Sequence, residues 1–313
     1  MKIQYHEFAF RGDTLERIQQ ANDIIAEYQA QGFDLTLRQL YYQFVARGII
    51  TNNEREYKKL GDVIANGRLA GLIDWKAISD RTRYLRRQAH WASPQDVVEV
   101  CASQFRLDKW AKQPYYCEVW IEKDALIGVI EGVCQDFDVP YLACRGYASA
   151  SEVWRAGHER FRQKVKVEKK QGMVFYLGDH DPSGIDMTRD VKERLDLFVG
   201  KKGGVAVQRL ALNMDQVETH NPPPNPTKMS DSRATDYVDK FGEECWELDA
   251  LDPTLIRNLI DDAISGIRDE ALWDEDKKAE ALAKRQLAAL AAYWDAIVPN
   301  LPTESDNGDQ DNG

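Results

Sequence analysis

The chain has 313 residues, enough for two modest domains and a sizeable core. Its hydrophobic content of 43% is that of an ordinary globular protein, and no apolar run approaches the ~20 residues of a membrane span, so no membrane partner is expected. The net charge of −11 argues against nucleic acid as a bulk sum, yet the charge is uneven. Between Asp34 and His90, 11 Lys and Arg face 6 Asp and Glu, whereas the tail after Leu301 holds Glu304, Asp306, Asp309 and Asp311 and no basic residue. A local basic face decides phosphate contact, so the sum excludes nothing. Five cysteines without a CxxC pair read as reduced thiols of a cytoplasmic protein, and Met1–Glu16 lacks the apolar core of a signal peptide.

Met1–Arg11 alternates like a strand but has no clear place. Leu15 to Gln29 carries Leu15, Ile18, Ala21, Ile24, Ile25 and Tyr28 at helical spacing, and Gly32 ends it. Thr36-Leu37-Arg38-Gln39 is a capping box opening a helix whose apolar face is Leu37, Leu40, Tyr41, Phe44 and Val45. Tyr42 falls outside that stripe, turned about 100° from Tyr41 and one turn beyond Arg38. Thr51-Asn52-Asn53-Glu54 reads as a second capping box, with Tyr57, Leu60 and Ile64 inward and Arg55, Lys58 and Lys59 outward. Two capped helices joined by a short glycine-containing turn suggest a helix-turn-helix whose second helix reads DNA. Arg81, Arg83, Arg86 and Arg87 then read either as a phosphate-contacting wing or as a solvated helix face.

Cys117–Ile121 is strand-like and is closed by Glu122, before a helix over Asp124 to Asp136. Val139 to Cys144 predicts the next strand, Ser149 to Val165 its covering helix, and Val205 to Leu212 a later strand. Between them Met173–Leu177 is a buried strand, turned by Gly178, Pro182 and Gly184 into a helix over Ile185 to Val199. Asp179 and Asp181 thus lie just past the carboxyl end of a parallel strand, where open α/β sheets bind their ligands. Two carboxylates one residue apart repel unless a cation or proton intervenes, and magnesium prefers such oxygens; an exposed Asp-Pro turn is the other reading. Glu122 would share the same sheet edge, and His180 between the aspartates reads as tuning the site or as a spectator. Asn221–Pro226 is expected to form an extended loop that enters neither sheet nor helix. Asp252-Pro253 caps a helix, Glu275 to Ile297 is Ala-rich and helical, and Thr303 to Gly313 is expected to be disordered. No P-loop, HExxH or Cys/His zinc pattern is present.

The spacing of Glu122 from Asp179-His180-Asp181 resembles a Toprim domain, the metal-binding module of topoisomerases, primases and some nucleases. Arg38-Gln39-Leu40-Tyr41-Tyr42 resembles the Arg-Asp-Ile-Tyr/Phe-Tyr motif of topoisomerase VI A subunits and the related meiotic double-strand-break transesterases. Glu122-Lys123-Asp124-Ala125, Arg145-Gly146-Tyr147, Gly178–Gly184 and Trp246–Leu251 are similar to further motifs of that family in the same order. Gln39 replaces the usual acid, the chain is shorter than typical A subunits, and compact stand-alone Mini-A-like proteins are the nearest likeness. The resemblance implies a mixed α/β chain with an N-terminal winged helix of catabolite-activator type followed by a Rossmann-like Toprim domain. On that basis residues 1–95 hold the winged helix, 96–113 a linker, 114–270 the Toprim domain, 271–298 a helix and 299–313 an acidic tail.

It further implies Tyr42 as the DNA-cleaving nucleophile, Arg38 as its helper, and Glu122, Asp179 and Asp181 as magnesium ligands. Arg55, Lys58, Lys59, Arg81, Arg83, Arg86 and Arg87 are the candidate contacts to double-stranded DNA. A homodimer follows, because the family's tyrosine works with the metal of the other protomer, and the family also admits a separate ATPase subunit. The expected setting is a bacterial nucleoid, phage or plasmid. Two alternatives stand beside this: a Toprim nuclease that uses water, and a winged-helix DNA-binding protein without catalysis.

Overall fold

The computed structural model describes residues 1–78, 88–200, 204–297 and 299. It begins with α1 (Gly12–Ala30), α2 (Leu37–Ala46), α3 (Glu54–Leu69) and α4 (Pro94–Gln104). There follow in alternation β1 (Tyr115–Ile121), α5 (Ile127–Asp136), β2 (Tyr141–Ala143), α6 (Ala150–Trp154), β3 (Gln171–Leu177), α7 (Pro182–Val199) and β4 (Val205–Ala211). α8 (Met214–His220), β5 (Asn225–Pro226), α9 (Ala234–Phe241), β6 (Glu244–Cys245), α10 (Pro253–Ser265), α11 (Glu270–Ala292) and α12 (Trp294–Ile297) complete a mixed α/β chain. Among the described residues no helix is long and apolar enough to cross a membrane.

Contacts divide the chain into two compact units. The larger comprises Met1–Tyr84 and Pro114–Ile267, the smaller Leu85–Gln113 and Arg268–Gly313. In the smaller unit, α4 packs on α11, so the stretch 96–113 read as a linker is partly helical. A Ser93–Asp96 capping box opens α4, and a buried Lys109–Glu280 ion pair of 2.7 Å ties the segment after it to α11. The sequence from 300 onward lies outside the described residues.

In the larger unit α1 buries Ile18, Ala21, Ile24, Ile25 and Tyr28, the set its periodicity predicts. α2 opens with both arms of the Thr36–Gln39 capping box in place. α3 corrects the second one: its cap is Asn53, whose side chain accepts from the Glu56 amide, while Thr51 only accepts from the Asn53 amide group. Asparagine supplies the same short acceptor, so the helix starts two residues later than Thr51 implied. Met1–Arg11 forms no strand; it has a Gln4–Ala70 bridge, the Tyr5 and His6 amides donate to the Leu69 carbonyl, and the Trp75 amide donates to the Met1 carbonyl.

Four parallel strands form the sheet, in the order β2-β1-β3-β4. Val119, Trp120, Ile121, Val174, Phe175, Tyr176 and Leu177 are buried, as both faces of a parallel sheet require. With the strand order β2-β1-β3-β4, the right-handed rule for parallel crossovers assigns α5 to one face and α6 and α7 to the other. Packing agrees: α5 meets α10, whereas α7 meets α6 and the π-helical turns Arg155–Phe161 that continue it. Those turns break the single α-helix expected over Ser149 to Val165. The proline-rich loop also departs from expectation, since Asn225–Pro226 pair antiparallel with Glu244–Cys245. A two-residue edge pairing tolerates the missing proline N–H.

Candidate functional site

The strand order reverses between β1 and β3: β1 is followed by β2 on one side, and β3 by β4 on the other. Crevices at such a switch point, outside the carboxyl ends of the strands, are where open α/β sheets take their ligands. Glu122 follows β1 and Asp179 follows β3, and the two strands are in register to Ile121 and Leu177. Glu122, Asp179 and Asp181 line one cleft of about 940 Å3, together with Arg38, Lys123, Arg145, Lys228, Glu247 and Asp249.

Two glycines make the close approach. A Cβ on Gly178 would stand 2.8 Å from Glu122 Oε2, and one on Gly184 would stand 2.2 Å from the Asp179 carbonyl oxygen. The loop between them can fold back only without those side chains. Asp181 caps α7, its Oδ1 accepting from the Gly184 amide at 2.6 Å and the Ser183 hydroxyl at 3.0 Å. Glu122 Oε2 accepts from the Asp179 amide at 2.9 Å. Asp179 Oδ1 accepts from the Leu248 amide at 2.8 Å and pairs with Lys123 Nζ at 2.9 Å.

Burial first, then the Asp179 charge, raises the Glu122 carboxyl above its ordinary range. Burial likewise raises Asp179, against the opposing pull of Lys123 and the Leu248 amide. Hard oxygens that resist ionising together fit a hard divalent cation in kind. Each carboxylate also keeps a second oxygen without a hydrogen bond among the described residues. They do not stand as a finished cage, since no three His, Cys, Asp or Glu side chains among the described residues are grouped to hold an ion. As placed, the cation that neutralises Asp179 is the Lys123 ammonium.

That ammonium also contacts Glu247 at 2.9 Å and Asp249 at 3.3 Å. Its burial opposes the charge, but Asp249, Asp179 and Glu247 hold it firmly protonated. Arg38 reaches the same acids from α2, pairing with Glu247 and, at 3.0 Å, with Asp249. The Asp249 carboxylate is fully buried and none of its oxygens makes an aligned hydrogen bond, so Coulomb attraction rather than directional bonding holds it. Burial disfavours the Glu247 carboxylate too, yet Lys123 and Arg38 pull its pKa down to about 2.

Tyr42 is only 3% exposed, more deeply placed than its position off the apolar stripe implied, because α2 packs against the Leu248–Ala250 turn. Its hydroxyl lies 3.5 Å from Arg38 Nη2. Burial, and after it Glu247, raises the phenol pKa, while Arg38 and Lys123 work to lower it. Tyr41 is buried as predicted, with its hydroxyl donating to Asn52 Oδ1 at 3.0 Å and lying 3.1 Å from the Asn53 carbonyl. On α3, Lys58 pairs with Glu54 at 2.7 Å and Lys59 with Glu56 at 3.1 Å, and Arg55 is exposed. Arg81, Arg83, Arg86 and Arg87 lie outside the described residues.

His180 is caged by Tyr237, Phe241 and Trp246, with Nδ1 2.7 Å from the Tyr237 hydroxyl. Burial, then Arg209, lowers its pKa to about 4. Its backbone exchanges two hydrogen bonds with Trp246, which delivers Glu247 and Asp249 to Lys123. Lys123, Glu247 and Asp249 lie in the motif stretches Glu122–Ala125 and Trp246–Leu251 but carry no role in the sequence reading, and Arg209 stands in no motif. The signal for the two acids is their i, i+2 spacing, the same as Asp179 and Asp181. For Arg209 it is a single cation in an otherwise strand-like run.

Fold and site together define a mixed α/β protein with an acid-floored cleft at the switch point of a parallel sheet. No protein-family model matches the chain, and no curated protein matches it either.

Proposed function

We propose that the chain is a metal-dependent DNA-cleaving transesterase, with a winged-helix segment and a Toprim-like sheet, acting as a homodimer on double-stranded DNA. The observation that carries this reading is the continuous charge network from α2 to the strand ends. Arg38, one turn from Tyr42, is held by Glu247 and Asp249, which hold Lys123, which holds Asp179. Tyrosine and acids, far apart in sequence, thus belong to one electrostatic unit within a single chain, and a tyrosine that works with the other protomer's metal must first leave it.

In this reading the Tyr42 phenol gives up its proton and its oxygen forms a bond to phosphorus as the bond to the leaving sugar oxygen breaks. The leaving oxygen takes a proton, and the chain stays covalently attached to DNA. A phenol of pKa near ~10, raised further by burial, needs a neighbouring cation, which is the part assigned to Arg38. Glu122, Asp179 and Asp181 would hold magnesium, which supplies charge neutralisation for the phosphate.

One observation favours the water-using nuclease instead: Tyr42 is almost wholly buried within the single chain. A gel separates the two. Supercoiled DNA incubated with the protein and magnesium should yield cut ends that enter the gel only after protease digestion. Cut ends that run freely without protease would support the nuclease, and no cutting at all would end both.

A further inference from the structure

Beneath the acidic loop lies a cation that the reaction as drawn does not use. Arg209 projects from β4, where the register between β3 and β4 slips at Tyr176 and Leu177 so that Leu210 is the extra residue. Bulges of this kind re-aim a side chain near a site. The guanidinium, close to the Tyr176 ring, has five N–H groups, and each finds one acceptor. Nε donates to the Leu212 carbonyl at 3.1 Å. Nη1 donates to the Gly184 carbonyl at 3.0 Å and to the Thr188 hydroxyl at 2.7 Å. Nη2 donates to the carbonyls of Gly178, at 2.9 Å, and Asp179.

The acceptors come from the end of β3, the first two turns of α7 and the end of β4, so one planar group spans the whole 178–184 loop. None of the five is a carboxylate. Arg209 is half-buried, and among the described residues it has no ion-pair partner, so nearby negative charge is what compensates its partial loss of water. Glu122, Asp179 and Asp181 are the negative charges at hand, since Asp179 and Asp181 sit on the loop that Arg209 clamps and Glu122 accepts from its amide.

We infer that Arg209 is the positioning residue of the acidic site, fixing the 178–184 backbone so that its carboxylates stand where they can receive a divalent cation. The inference rests on the metal reading of that site. Lysine would keep the charge and lose the fork, because an ammonium offers three donors and no planar span.

The test is manganese binding to the whole chain, by calorimetry and by the electron paramagnetic resonance signal of free Mn2+, for wild type and Arg209→Lys. Circular dichroism establishes that the variant is folded. We expect R209K to weaken Mn2+ about ten- to a hundred-fold, the range for outer partners of metal ligands. The cleavage it loses should return at high magnesium, raising the apparent metal requirement rather than lowering the saturated rate. A folded R209K with wild-type Mn2+ affinity overturns the inference and leaves the metal site standing. Wild type that binds no Mn2+ overturns the metal reading and the inference together. If R209K does not fold, Thr188→Val removes one of the five acceptors; affinity several-fold weaker is expected, and unchanged affinity overturns the clamp.

Discussion

Tyr41 and Tyr42 are neighbours in sequence and both interior, yet their hydroxyls meet different partners. The Tyr42 hydroxyl has one long contact, to Arg38, so Tyr42→Phe should cost under about 1 kcal/mol in denaturant unfolding. The same change should abolish covalent protein–DNA product on a denaturing gel, and persistence of that product would remove Tyr42 from the chemistry. Tyr41→Phe should keep cleavage while losing about 1 kcal/mol, because its hydroxyl braces Asn52, which in turn donates to Pro224 and Asn225 beside the cleft. The carboxylates make a pH prediction with two opposite signs. Glu122 and Asp179 have raised native pKa values, so without metal the native state keeps protons that the unfolded chain has released. Their contribution is destabilising when ionised, and stability falls as pH rises from about 5 through neutrality. Glu247, held down to about 2, stabilises above the unfolded carboxylate range and loses that contribution as pH falls toward its native value. Unfolding of the metal-free chain should therefore be hardest near about pH 5, and saturating magnesium should flatten the decline toward pH 8. A metal-free maximum above pH 7 would contradict the assignment.

Among the elements, the turn from β3 into α7 carries the tightest steric condition. Gly184→Ala puts a methyl against the Asp179 carbonyl, a backbone atom that cannot swing aside. The loop must shift, at a cost of about 1–3 kcal/mol, and calorimetric melting together with a cleavage assay should show both stability and activity falling. An unchanged melting temperature would mean that the loop relaxes freely. This turn was legible because Gly178, Pro182 and Gly184 follow an apolar strand, and a strand ended by glycine and proline has few ways to continue. The α3 cap was less legible. Thr51 and Asn53 are both competent caps two residues apart, and residue type alone does not choose between them; the chain uses Asn53. Asn53→Ala should cost about 1 kcal/mol in thermal unfolding, and Thr51→Ala distinctly less.

At the scale of the whole molecule, the reading asks for two copies of the chain around one duplex. Sedimentation at micromolar protein should give a dimer, at least with DNA bound. A monomer under both conditions would count heavily against a tyrosine and metal shared between protomers. Within one chain, Arg38 is already committed to Glu247 and Asp249. A phosphate arriving at the cleft must therefore compete with those acids for the guanidinium. Lowering salt should strengthen DNA binding, as counterion release requires.

Periodicity and turn chemistry are local properties, and they were enough to locate most helices, all four strands of the parallel sheet to within two residues at each end, and the two strand ends that carry Glu122 and Asp179. Capping, glycine turns and apolar runs act over a few residues, so a linear reading finds them. The order β2-β1-β3-β4 is another matter, since it depends on crossovers that no local pattern encodes. The same holds for the meeting of Arg38 with Glu247 and Asp249, more than 200 residues downstream. Burial of Tyr42 belongs there too: a helical wheel ranks positions around one helix, but the Leu248–Ala250 turn covers a flank that the wheel leaves open. Arg209 is the clearest case. Its five acceptors are four backbone carbonyls and a hydroxyl, groups whose identity says nothing until folding brings them within 3.1 Å of one guanidinium.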